Sequence, residues 1–76
     1  MAIWVDQMRP CRPNRNWRWC ESCHLFSDGD IVELHKFARR LGLKRSWFQD
    51  RRPHYDLTRR MRERAIRLGA KESIRR

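Results

Sequence analysis

Glycine is the first shortage in this chain. Three glycines among 76 residues leave no glycine-rich loop to cradle a nucleotide's phosphates, and no phosphate-loop lysine accompanies the histidines. Helix-turn-helix, zinc-finger and dinucleotide-binding signatures are also missing, so sequence-specific DNA reading is not supported. No apolar run approaches the ~20 residues of a membrane-spanning helix. The opening Met-Ala-Ile-Trp-Val-Asp lacks the charged start and long apolar stretch of a signal peptide, so a cytoplasmic location with no membrane partner is expected. Three cysteines, an odd number, fit poorly with a disulfide framework. Acids are few as well: 9 Asp+Glu stand against 19 Lys+Arg, for a formal net charge of +10.

What remains is a small, arginine-rich body. A chain this short makes one domain, residues 1–76, with a modest core. Four Trp, three Phe and one Tyr supply large core pieces, each contributing about 1.5–3 kcal/mol when well packed. Arginine accounts for 16 of the 19 cations. It meets phosphate through planar, bidentate contacts and stacks on bases. The expected partner is therefore nucleic acid, RNA or DNA, or else a host protein with an acidic surface. The plainer reading is a solvated surface. No feature of the sequence bears on oligomeric state.

Ile3, Trp4 and Val5 are β-formers, and they predict a strand over residues 2–6 that ends at Asp6. Residues 7–19 form a basic arm with no acid, broken by Pro10, Pro13, Asn14 and Asn16, and they predict irregular structure. A second strand is expected over 23–26. Ser27-Asp28-Gly29-Asp30 is a helix-start signal. Ile31, Leu34, Phe37, Ala38 and Leu41 then make an amphipathic stripe that Gly42 stops, so a helix is predicted over 29–41. Trp47 and Phe48 are expected to plug the core from a connector over 43–52. Asp56 or Thr58 would cap a second helix over 57–68, with Leu57, Met61, Ala65 and Leu68 inward and an arginine-rich outer face. Residues 70–74 can return as a last strand. The order predicts a small α/β domain: a three- to four-stranded sheet, two packed helices and the arm.

The motifs Ile3-Trp4-Val5-Asp6, Cys23-His24-Leu25-Phe26-Ser27-Asp28, Glu33-Leu34-His35, Arg45-Ser46-Trp47-Phe48-Gln49 and His54-Tyr55-Asp56 follow one another in order. So do Leu41-Gly42-Leu43 and the block from Arg64 to Ala70. Together they resemble the small bacterial and phage proteins grouped as domain of unknown function 4031, over nearly the whole chain. That resemblance implies a short α/β protein, a phage or prophage origin, and a host-cell cytoplasm as its setting. It implies no activity. Cys11, Cys20 and the Arg/Trp alternation of the arm depart from the family's pattern.

Two blocks place imidazole near carboxylate, His24 with Asp28 and His54 with Asp56. The candidate catalytic set is Asp6, His24, His54 and Asp56. In α/β folds, sites gather at strand ends and the loops that follow. Such a set could bind a divalent metal, or move protons on a phosphodiester. The plainer alternative makes His54 and Tyr55 structural and Asp56 a helix cap. A second candidate is a zinc site of Cys11, Cys20, Cys23 and His24, with His35 or His54 as other fourth ligands. Against it, Cys23 and His24 point to opposite faces if they lie on a strand. No cofactor is required by any motif. The candidate nucleic-acid contacts are Arg9, Arg12, Arg15, Arg18, Trp17 and Trp19 in the arm, and Arg59, Arg60, Arg62 and Arg67 on the second helix. Three functions follow: a nucleic-acid-binding accessory protein, a protein that docks on and modulates a host enzyme, and a nuclease-type phosphodiesterase.

Overall fold

The computed structural model describes residues 2–73. The β-formers at the start build β1 (Ile3–Val5), which sits inside the sheet between two partners. One is β3 (Glu21–Ser27), antiparallel, with Val5 opposite Leu25; the other is β5 (Lys71–Glu72), parallel. On its other edge β3 pairs antiparallel with β4 (Tyr55–Leu57), and it also pairs with the short β2 (Arg9–Pro10). The described residues thus form one five-stranded mixed sheet, two strands of which are two residues long. Of the return strand predicted over 70–74, residues 71–72 are in β5, while Ile74, like Arg75 and Arg76, lies outside the described residues.

Two helices cover one face. The first, α1 (Ile31–Leu41), starts at Asp30, whose side chain accepts a hydrogen bond from Val32 N, and stops at Gly42 with φ 90°. Only a residue without Cβ adopts that left-handed turn cheaply. The second, α2 (Arg59–Arg67), is capped by Thr58, whose hydroxyl accepts from Met61 N. Of the two expected caps Thr58 serves, while Asp56 lies in β4, as does Leu57, expected on the inward face of the helix. Asp28 has a different task too: it accepts hydrogen bonds from Ala2 N and Trp4 Nε1 and so clips β1 to the end of β3. Leu34, Phe37, Ala38 and Leu41 of α1 and Ala65 of α2 pack on Val5, Cys23, Leu25, Tyr55 and Leu57. Strand alternation makes those sheet residues one face. Trp47 does not plug the core: it sits in a single 3-10 turn, Arg45–Trp47, and is 51% exposed. Phe48 alone packs against the core edge.

Most of the arm lies outside regular strands, but its ends are tied. Cys11 N donates to Cys20 O, and Asn14 and Trp17 exchange backbone hydrogen bonds around Arg15 and Asn16. Asn14 Oδ1 accepts from the amides of Asn16 and Trp17, which closes the turn. Between Val5↔Leu25 and Arg9↔Ser22, residues 6–8 face only residues 23–24. That mismatch is a β-bulge, a device that re-aims a side chain out of the ladder.

Candidate active site on the second face of the sheet

The bulge turns Asp6 into a ladder partner by its side chain. His24 N, which a regular strand would give to a backbone carbonyl, donates to Asp6 Oδ1 at 2.6 Å. The other carboxylate oxygen bonds His24 Nδ1 at 2.7 Å. The carbonyl of Asp6, released from the ladder, accepts from Arg62 Nε at 2.7 Å. Asp6 is 2% exposed, and no buried polar side-chain atom among the described residues lacks a partner. Burying a carboxylate is costly unless such bonds satisfy it, and here they do.

The other members arrive by strand register. His24 lies opposite Asp56 in the β3–β4 ladder. His54 and Asp56 are two residues apart, so both project to the same face, while Tyr55 and Leu57 project into the core. The two imidazoles meet edge to face with centroids 4.7 Å apart. His54 Nε2 stands 3.4 Å and His24 Nε2 3.9 Å from Asp56 Oδ1. Asp56 Oδ2 accepts from Gln49 Nε2 at 2.6 Å, and His54 Nδ1 bonds the carbonyl of Arg52. Arg52 has φ 53°, the single positive φ outside glycine among the described residues. That conformation costs about 1–2 kcal/mol, and it sits beside the site, where stored strain is commonly found.

Electrostatics follow from these contacts. The hydrogen bond to Asp56 raises the pKa of His54 above the ordinary imidazole value, against the opposing effect of burial, and the Arg52 carbonyl adds to the rise. Burial would raise the Asp56 carboxyl, but hydrogen bonds from His54 and Gln49 and the charge of both imidazoles hold it below the usual carboxylate range. A cleft of about 640 Å³ is lined by His24, His54, Asp6 and Arg52, with Phe26 and Ile31 as apolar lining.

All four candidate catalytic residues therefore converge. Gln49, the Arg52 carbonyl and Arg62 join them, and only the ordered fold reveals these three. The cysteine set does not assemble. Cys23 is turned into the core, 1% exposed, while His24 faces the cleft. Burial, aided by the charges of Asp6 and Asp56, pushes the Cys23 thiol up to about 12, the reverse of what a zinc thiolate needs. Cys11, in the arm, and Cys20, just after it, are free thiols. Among the described residues, the group of His, Cys, Asp or Glu within ligand reach of one another is His24, His54 and Asp56. His35 is elsewhere: its Nδ1 bonds Tyr55 Oη at 2.8 Å, and its ring packs on Phe48.

The candidate nucleic-acid residues divide. Arg9, Arg12, Arg15, Arg18, Arg60 and Arg67 are exposed. Arg59 makes a two-pronged ion pair with Glu21, at 2.7 and 3.0 Å. Arg62 is spent on Asp6 O and Glu72. Trp17 and Trp19 cluster with centroids 4.9 Å apart; Trp17 Nε1 donates to Glu21 O, and the Arg18 guanidinium lies 5.0 Å from the Trp19 ring centre.

Fold and site thus define a small single-domain α/β protein with a His/His/Asp centre on strand positions that alternate with the core-facing ones. The profile of the family described as "Protein of unknown function (DUF4031)" matches residues 3–76. The chain belongs to that family. Neither a curated protein nor a solved structure matches it. No helix among the described residues is long and apolar enough to cross a membrane.

Proposed function

We propose that this protein is a phosphodiester hydrolase acting on nucleic acid, with its reaction centre at His24, His54 and Asp56 and with Asp6 as positioning residue. The observation that carries the reading is two imidazoles that line one cleft and both approach the Asp56 carboxylate, each of the three groups fixed by a further partner. Reacting and ligating groups depend on such support to hold their orientation. In the reaction, a water oxygen bonds to phosphorus, a P–O ester bond breaks, and the leaving oxygen takes up the proton the water gives up. Arg52 lines the same cleft and would supply a guanidinium to a phosphate oxygen, and the apolar lining suits a base or sugar. The exposed arginines draw in the polyanion, so affinity falls steeply with salt.

The test is cleavage of single-stranded DNA, duplex DNA, RNA and a chromogenic bis(aryl) phosphate, with and without added divalent ions. Activity that His24→Ala and His54→Ala each abolish, while salt-dependent binding persists, is the expected result. Failure to cleave all four substrates under every ion condition sinks the proposal. The exposed arm arginines and the Trp17–Trp19 cluster would then favour binding without cleavage.

A further inference from the structure

The spacing of the three reacting groups decides between a pair of proton carriers and a single ion. In-line displacement at phosphorus puts the attacking and leaving oxygens on opposite sides. A base and an acid serving them stand roughly 6 Å or more apart, once two ~2.8 Å hydrogen bonds are added along that path. Here one ligand atom from each of His24, His54 and Asp56 lies within 4.8 Å of the other two. The two contacts to Asp56 Oδ1 are 3.4 and 3.9 Å. Ligands that bind one ion at ~2.0–2.2 Å sit roughly 3–3.6 Å apart. Small side-chain rotations would therefore close a shell around one ion.

Each of the three groups is also held from behind. Asp6 takes His24 Nδ1, the Arg52 carbonyl takes His54 Nδ1, and Gln49 donates to the second oxygen of Asp56. A neutral imidazole that donates Nδ1–H to these partners keeps Nε2 as its ligand atom, and the two Nε2 atoms stand 3.9 and 3.4 Å from the same Asp56 oxygen. This is how metal-binding histidines are oriented: the distal ring nitrogen bonds a carboxylate or a carbonyl.

We infer that His24, His54 and Asp56 form a three-ligand site for one divalent first-row transition ion, of the Mn, Fe, Co or Zn class. Two imidazoles and one carboxylate make a donor set that leaves further coordination positions open. Two nitrogen donors disfavour Mg²⁺ and Ca²⁺, which take shells of oxygen. The open positions face the cleft, where water and a phosphodiester oxygen would bind. In that last respect the inference rests on the hydrolase reading; the ion site itself needs no substrate.

The test uses the full chain stripped with EDTA and titrated with Co²⁺ or Zn²⁺, with Mg²⁺ for comparison. One Co²⁺ per chain is expected, with weak or absent Mg²⁺ binding. His54→Gln and Asp56→Asn should each weaken Co²⁺ binding by at least 10–100-fold, while His35→Gln leaves it unchanged. In the unmutated chain, Zn²⁺ should move the ¹⁵N resonances of His24 and His54 Nε2 and leave those of His35 in place, a readout that no misfolded variant can mimic. Absence of binding, or binding that leaves the His24 and His54 resonances unmoved, overturns the site. A parallel cleavage assay keeps the two ideas apart. Ion binding at these residues without cleavage supports the site and removes the hydrolase reading. Cleavage in EDTA by a chain that binds no Co²⁺ keeps that reading and overturns the site.

Discussion

Asp6→Asn tests the architecture most sharply, because it preserves volume while replacing one carboxylate oxygen by NH₂ and removing the charge. The carboxylate accepts two hydrogen bonds, from His24 N at 2.6 Å and from His24 Nδ1 at 2.7 Å, in a position 2% exposed. In the variant Oδ1 still accepts from His24 N. The new amide NH₂, however, faces His24 Nδ1, and a donor cannot bond a donor. The imidazole must either give up the contact or shift its proton to Nε2. Replacing a charge-assisted bond by a neutral one loses about 1–2 kcal/mol, from ~1.5–3 against ~0.5–1.5. For a domain of this size each kcal/mol lowers the melting temperature by roughly 4–8 °C. The tautomer shift has the larger consequence for function. Nε2 would carry a hydrogen toward the cleft, where a lone pair is needed, and activity and ion affinity should fall about 10–100-fold. Urea denaturation measures the first effect, and ¹⁵N spectra of the imidazoles report the tautomer directly. A variant in which His24 keeps its Nδ1–H form and cleavage proceeds at the unmutated rate would refute the reasoning.

Three further outcomes follow from other contacts. Arg62→Gln strips the Asp6 carbonyl and Glu72 of their guanidinium partner and should cost about 1–3 kcal/mol in denaturant titrations, whereas Arg60→Gln and Arg67→Gln, on the exposed face, should leave stability nearly unchanged and lower the salt dependence of nucleic-acid affinity; equal stability loss at all three would contradict the assignment. Arg52→Gly relieves the φ of 53° and should stabilise the fold by about 0.5–1 kcal/mol while weakening phosphate binding in the cleft, so a variant less stable than the parent would dismiss the strain. Two histidines should give stability opposite pH slopes in EDTA. Burial and the Arg45 charge lower the pKa of His35, so its contribution is present above the ordinary imidazole value and fades as pH falls through that value toward the lowered one. The bond to Asp56 raises the pKa of His54, so its contribution is present below the ordinary value and is lost as pH rises through the raised one. Melting temperatures from roughly pH 5 to 8 should therefore lose their acid-side decline in His35→Gln and their alkaline-side decline in His54→Gln; an unchanged profile in either variant counts against that residue's part.

What could be read from the sequence was local. Leu34, Phe37, Ala38 and Leu41 repeat at helical steps and end at Gly42, and the helix lies where that period puts it, starting two residues late because Asp30 holds the cap. The alternation of β4 was equally visible in His54-Tyr55-Asp56-Leu57, polar then apolar in turn. It competed with a cap signal, since an acid just before a helical stripe satisfies both patterns, and Thr58 two residues later resolved the ambiguity in favour of the strand. That single ambiguity is what separates a structural Asp56 from one that faces two histidines.

Pairing was not local, and the candidate site is made of pairing. His24 meets Asp56 because β3 and β4 adopt one register, and a slip of one residue would turn Cys23 to the cleft and His24 to the core. Asp6 reaches His24 because residues 6–8 bulge against residues 23–24, a mismatch that no window along the chain contains. Arg59 finds Glu21 across 38 residues of sequence, so the period of the helix alone cannot say which arginines are spent inside the fold. The Arg52 carbonyl is less legible still, because a backbone acceptor has no residue type to signal it. Its only trace is a conformation: an arginine held at a φ that glycine would adopt without strain. A chain that has three glycines and still places arginine at this turn, among the residues that line the cleft, forgoes an easier backbone, and that choice is intelligible if the side chain meets phosphate there, as proposed.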